Sequence, residues 1–149
     1  MYKKMLVPLD GSELAECVLP HVATIAAGCG VGKLILLRVI EPVPPETPPA
    51  TDFEAIQKAS MKEAEKYLAK TKTKLTKKGL NVEKKVLTGK AAESITEFAE
   101  RNKVDIIALA THGRSGLSRW IFGSVADKLV RSSSVPVLLV KPEGCESGI

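Results

Sequence analysis

Aromatic residues make up only 4% of the 149 residues, which excludes a core of stacked rings and leaves Val, Ile, Leu and Ala to fill it, as in a sheet covered by helices. The three cysteines, Cys17, Cys29 and Cys145, form no C-x-x-C pair. A disulfide framework is therefore not expected, and a reducing, cytoplasmic location is. No apolar run approaches membrane-spanning length, and the opening "MYKKMLVPLDGSE" has too few apolar residues before Asp10 for a signal peptide, so no membrane partner is expected. Both familiar phosphate fingerprints are missing. "GCGVGK" (28–33) spaces its glycines wrongly and follows a helix-like segment, and "TGK" (88–90) lacks the upstream glycine of a P-loop. A net charge of +5 and a pI near 9.1 invite a nucleic-acid reading. The lysines between Lys58 and Lys85, however, repeat along the wet face of one helix, with no aromatic stacking platform and no recognised nucleic-acid module, so no nucleic-acid partner is expected.

What is present is an alternation. Strand-like runs at "KMLVPL" (4–9), "KLILLRVI" (33–40), "NVEKKVLTG" (81–89), "VDIIALA" (104–110) and "VPVLLVK" (135–141) are separated by helical patterns. Those patterns are "ELAECVLPHVATIAA" (13–27), a long amphipathic stretch from Asp52 to Lys78, "KAAESITEFAERN" (90–102) and a short helix from Ser124 to Arg131. Pro20 is expected to kink the first helix or to sit in its first turns. Phe53, Ile56, Ala64, Tyr67, Thr71 and Leu75 form the apolar stripe of the long one. The proline-dense "EPVPPETPPAT" (41–51) reads as an extended loop. Continuous apolar strands alternating with helices predict an open, doubly wound parallel α/β sheet in one domain over residues 1–142, with a disordered tail at 143–149.

In such sheets ligands sit beyond the carboxyl ends of the strands, where the winding reverses. Two segments lie at carboxyl ends: "DGS" (10–12) after the first strand and "ATHGRSGLSRWIFGS" (110–124) after the fourth. In the second, Gly113 permits close backbone approach, and Ser124 with Asp127 fits a capping box at a helix start. A helix amino terminus offers unpaired N–H groups and a partial positive charge to anions. On spacing alone, a phosphate cradle and an ordinary turn plus cap remain equally open. Cys17 and His21, four apart, are too few to make a metal site, and no metal ligands are assigned within the protein. No carboxylate near His112 in sequence orients it as a general base, so it is read as a backbone-contact residue, and no catalytic residue is assigned. Trp120 and Phe122 read as apolar packing.

From "KKMLVPLDGSE" through "LILLRVIEP" to "VDIIALATHGRSGLSRWIFGSVADKLVRSSSVPVLLVK" the chain resembles the universal stress protein family over nearly its full length. Nucleotide-binding members carry G-x2-G-x9-G-[ST] after the fourth strand. Here that pattern falls on Ala110, Gly113, Gly123 and Ser124, with alanine in place of the first glycine. The resemblance implies a five-stranded sheet of order 3-2-1-4-5 with helices on both faces, and an ATP site. Pro8, Leu9 and Asp10 would lie at the adenine and ribose end, and Val39 would contact the base. Ala110, His112, Gly113 and Arg114 would line the ribose and phosphates. Gly123, Ser124 and Val125 would offer N–H groups to the phosphates. ATP, AMP or another adenine nucleotide is the implied ligand, with Mg2+ accompanying a triphosphate.

In that order the third and fifth strands are edges. The third carries Glu83, Lys84 and Lys85, which blunt it, whereas the fifth has no charge before Lys141 and would pair with a second copy. A homodimer through 135–141 is expected, as the resemblance also implies. The functional expectation is an ATP-binding stress or regulatory protein, a nucleotide-dependent dimeric signalling module with little or no hydrolysis. The alternatives are a nucleotide-free protein-interaction module and a weak nucleotide hydrolase or transferase.

Overall fold

The computed structural model describes residues 2–43, 52–111 and 123–142. Five parallel strands, β1 (Lys4–Pro8), β2 (Lys33–Ile40), β3 (Val82–Thr88), β4 (Ile106–Ala110) and β5 (Val137–Val140), form one sheet in the order β3-β2-β1-β4-β5. The helices are α1 (Glu13–Glu16), α2 (Val18–Cys29), α3 (Phe53–Thr76), α4 (Ala91–Arg101) and α5 (Ser124–Ser132). The expected tail at 143–149 and most of the proline-rich loop lie outside the described residues.

Strand alternation builds two cores. Met5, Val7, Leu34 and Leu36 turn to one face and bury against Val18, Leu19 and Val22 of α2 and Ala64, Leu68 and Leu75 of α3. Leu6, Ile35, Leu37, Ile107 and Leu109 turn to the other, against Ile95 and Ala99 of α4 and Ala126 and Leu129 of α5. Because both faces are covered, the central strands read as unbroken apolar runs rather than alternating ones.

Three helix expectations need correction. The segment 13–27 is two helices, parted at Cys17. Pro20 has no N–H for the Glu16 carbonyl four residues back, so α1 ends there and α2 restarts with Pro20 in its first turn. In α3 the buried stripe is Ala64, Leu68, Thr71 and Leu75, while Phe53 and Ile56 stay 40% and 42% exposed. A 24-residue helix of about 36 Å outruns the strands it covers, so its first turns meet no core. The capping residue of α5 is Gly123 rather than Ser124. Gly123 takes the extended cap geometry, its carbonyl accepts the Asp127 amide at 2.9 Å, and the Asp127 carboxylate pairs with Arg131 instead of reaching back.

Cys17 is buried and disulfide-bonded, and Cys29 is a free, exposed thiol. The cysteines therefore give no support to a reducing compartment. A bridge depends on tertiary approach, which the absence of a pairing motif does not report. Among the described residues no helix is long and apolar enough to cross a membrane.

The pairing of β1 with β4 sets the position of everything at their carboxyl ends. It covers Met5↔Ile106 and Leu6↔Ile107 and is fixed at its start by Asp105. The Asp105 amide donates to the Lys4 carbonyl at 3.0 Å, and its carboxylate accepts the amides of Lys3 and Lys4 at 2.7 and 2.8 Å. Those backbone bonds, Lys4's foremost, favour the charged form and hold the Asp105 carboxyl below the usual aspartate range. A depressed folded-state pKa contributes stability that is present above the unfolded value, about 3.9, and is lost as pH falls through the lower folded value. Asp105→Asn is therefore expected to lower Tm at neutral pH and to flatten the fall of Tm below pH 4. A variant whose acid limb matches the parent's would contradict this.

Candidate functional site

The chain leaves β1 by a reversal that its residues dictate one by one. The Leu9 amide still donates to the β2 carbonyl of Leu37 at 2.8 Å, and then the ladder ends. Asp10 accepts the Ser12 amide at 2.9 Å and the Ser12 hydroxyl at 2.5 Å, while that hydroxyl oxygen accepts the Ala15 amide at 3.1 Å and so caps α1. Between them Gly11 has φ +86°, in the left-handed region that favours glycine. The turn thus presents the half-buried Asp10 at the carboxyl edge of the sheet.

Across the switch point β4 ends at Ala110, in regular parallel register with Val140. The Thr111 amide donates to the Val140 carbonyl at 2.9 Å, and the Thr111 carbonyl accepts the Gly123 amide at 2.7 Å. That second bond brings the start of α5 back to the end of β4. It also occupies one of the three N–H groups expected to face phosphate, so Gly123 shapes the helix start rather than offering its own amide. The first-turn amides of Ser124 and Val125 have no side-chain cap, as expected of a helix terminus open to an anion.

Between the two segments lies a cavity of about 260 Å³. Of the expected site residues, Pro8, Leu9, Asp10, Val39, Ala110, Gly123, Ser124 and Val125 all line it. His112, Gly113 and Arg114 lie outside the described residues. Ala110 has no positive φ, so alanine meets no backbone penalty where the resemblance anticipates glycine. Sequence reading missed Leu37, Ala91, Ile95, Leu109 and Thr111 in the lining. Ala91 and Ile95 belong to α4, which follows β3 and carried no motif; its amphipathic spacing was the one available signal. A second cavity of about 490 Å³ shares Ala91, Ser124 and Val125 with the first and is flanked by Lys90, Glu93 and Lys128.

The crevice is thus chemically graded. Leu37, Val39, Ile95 and Leu109 make an apolar slot, a carboxylate stands at the β1 end, and a helix amino terminus stands at the α5 end. A flat apolar group with hydroxyls and a trailing anion matches that order. Phosphate toward α5 gains from the helix dipole, whereas phosphate toward Asp10 would be repelled.

A doubly wound parallel sheet with a crevice at its switch point defines an open α/β domain. A model of the universal stress protein family matches residues 1–141, and the chain belongs to that family. It is 32% identical over 142 residues to universal stress protein MJ0531 of Methanocaldococcus jannaschii, covering 95% of this chain and 83% of that protein. The solved structure of MJ0577 from the same organism superimposes with a TM-score of 0.83 at 32% identity, over 95% of this chain and 96% of that one. A universal stress protein from Archaeoglobus fulgidus, solved in complex with dAMP, shares the fold at a TM-score of 0.68 and 24% identity, covering 94% and 98% of the two chains.

Ser12 joins the cap of α1 to the Asp10 carboxylate, so Ser12→Ala removes both bonds at once. The expected loss is about 1 kcal/mol, the usual value of an amino-terminal cap, read as a lower urea midpoint at unchanged m. An unchanged midpoint would show that the cap does not hold the turn.

Proposed function

We propose that this protein is an adenine-nucleotide-binding regulatory protein whose crevice holds the base between Val39 and the apolar slot. Asp10, with Pro8 and Leu9, faces the ribose end. Ala110, His112, Gly113 and Arg114 follow the ribose and phosphates, and the amides of Ser124 and Val125 receive phosphate at the start of α5. The observation that carries the reading is the grading of the crevice, from carboxylate and apolar slot to an α5 terminus without a side-chain cap. The dAMP complex of a protein of the same fold supports it. Mg2+ fits as a companion of ATP: the Ser124 hydroxyl is an oxygen donor at the phosphate end of the crevice, and Mg2+ would keep most of its shell as water and phosphate oxygen. It would neutralise phosphate charge there. The reading is binding with little or no hydrolysis, with no residue assigned a catalytic role.

The protein would work as a homodimer joined along β5. This strand is a sheet edge, its residues Val137, Leu138 and Leu139 are only half-buried, and no charge interrupts it. An unblunted apolar edge favours addition of a second copy about a two-fold axis.

Isothermal titration calorimetry with ATP and AMP, with and without Mg2+, tests the first part. Saturable binding is expected, and Gly123→Val should weaken it by about tenfold or more, the equivalent of 1.4 kcal/mol. No binding by the parent protein would leave a nucleotide-free interaction module, and rapid product release would point to a transferase or hydrolase. Sedimentation at micromolar concentration tests the second part: a dimer is expected, with Leu138→Lys monomeric. A parent monomer would contradict it.

A further inference from the structure

One charged side chain is buried where packing alone would favour leucine. Arg38 interrupts the apolar run of β2, is only 7% exposed, and forms neither a hydrogen bond nor an ion pair within 4.0 Å among the described residues. Removing a guanidinium from water is costly, so its retention calls for specific neighbours. Two neighbours account for where it lies. The ring of Tyr67, from α3, sits 5.5 Å from the guanidinium carbon, in cation–π range. Gly11 is close as well: a Cβ there would fall 2.9 Å from Nη1, 3.1 Å from Cζ and 3.2 Å from Nη2. The guanidinium therefore lies against both the Tyr67 ring and the bare backbone of the turn that carries Asp10.

The electrostatics agree with this placement. The Tyr67 hydroxyl is buried, and the group close enough to engage it is the Glu16 carboxylate. Burial first, then the negative charges of Glu16 and Asp10, raise its pKa above the ordinary tyrosine value, against the opposing charge of Arg38. Two carboxylates, one guanidinium and one phenol thus share a neighbourhood beneath the 10–12 turn. Leu37 and Val39, the strand neighbours of Arg38, line the crevice on the opposite face. One strand therefore supplies the floor of the slot and, between those two residues, the support for its acidic end.

We propose that Arg38 is the positioning residue of the site: its guanidinium, backed by Tyr67, packs under Gly11 and holds the Asp10 carboxylate at the mouth of the crevice. Gly11 is required twice over, for its positive φ and for the space the guanidinium fills. The consequence for ligand rests on the adenine-nucleotide reading above, whereas the placement of the turn does not.

The test has a ligand-free arm and a ligand arm. Hydrogen exchange of the Ser12 amide, which Asp10 holds, is expected to speed up by about tenfold in Arg38→Met relative to a core amide such as that of Leu36. Unchanged Ser12 exchange would overturn the proposal whether or not a nucleotide binds. In the ligand arm, AMP affinity is measured for Arg38→Met, Asp10→Asn and the double variant. If Arg38 acts through Asp10, each single change lowers affinity and the double variant is little worse than Asp10→Asn alone. Losses that multiply would overturn it. Leu68→Ala, a core change away from the turn, should lower Tm and leave AMP affinity unchanged. If Arg38→Met behaves like Leu68→Ala, Arg38 is only structural and the proposal fails. Should Arg38→Met not fold, Arg38→Lys keeps charge and cation–π contact but loses the planar fork, and it should give the same pattern at reduced size. Failure of the parent protein to bind AMP sinks the nucleotide reading, and Ser12 exchange then decides the placement of the turn by itself.

Discussion

Two parallel strands that begin together and feed helices on opposite faces cannot have their far ends covered by the same helix. The pairing of β1 with β4 is that situation here: α1 and α2 follow β1 onto one face, and α5 follows β4 onto the other. The gap left between them is the crevice, and its depth depends on how firmly the two strands are held. Only Met5↔Ile106 and Leu6↔Ile107 are in register across the pair, so the three bonds around Asp105 at its start carry weight out of proportion to their number.

The same constraint explains the chemical order of the crevice. β1 ends in a turn tightened by an aspartate and a serine, which leaves a carboxylate at one rim. β4 ends where the Thr111 carbonyl accepts the Gly123 amide, which draws a helix amino terminus to the other. A negative group and a positive pole about one small cavity make a site with direction, and an anionic ligand has one favourable orientation in it. A bare Gly11 backbone over a buried guanidinium gives the negative rim a rigid footing, so the α3 layer takes part in a site that lies on the opposite face of the sheet.

How much of this could be read beforehand follows from the range of each interaction. The alternation of strand and helix, and the two segments at carboxyl ends, are local patterns, and they were legible. Most of the lining came from the family resemblance, which implied Pro8, Leu9, Asp10 and Val39 at strand ends and Gly123, Ser124 and Val125 at a helix start. The Gly123–Thr111 bond was not legible, because nothing in a glycine tells whether its amide will face a ligand or a carbonyl twelve residues back. The capping box misled for a related reason: the spacing of Ser124 and Asp127 permits the motif, but Gly123 took the cap and Arg131 took the carboxylate. Arg38 was hidden by a strand that reads as uniformly apolar, and its meaning depends on Gly11 and Tyr67, which are 27 and 29 residues away in the sequence.

The central claim is that this particular crevice, with this polarity, receives an adenine nucleotide. Titration of 15N-labelled protein with AMP, followed by backbone amide resonances, tests it most directly. The largest movements should fall together on Ser124, Val125 and the 10–12 turn, with Val39 between them and the exposed face of α3 unmoved. Saturating movements confined to other surfaces, or none at millimolar AMP, would contradict the account.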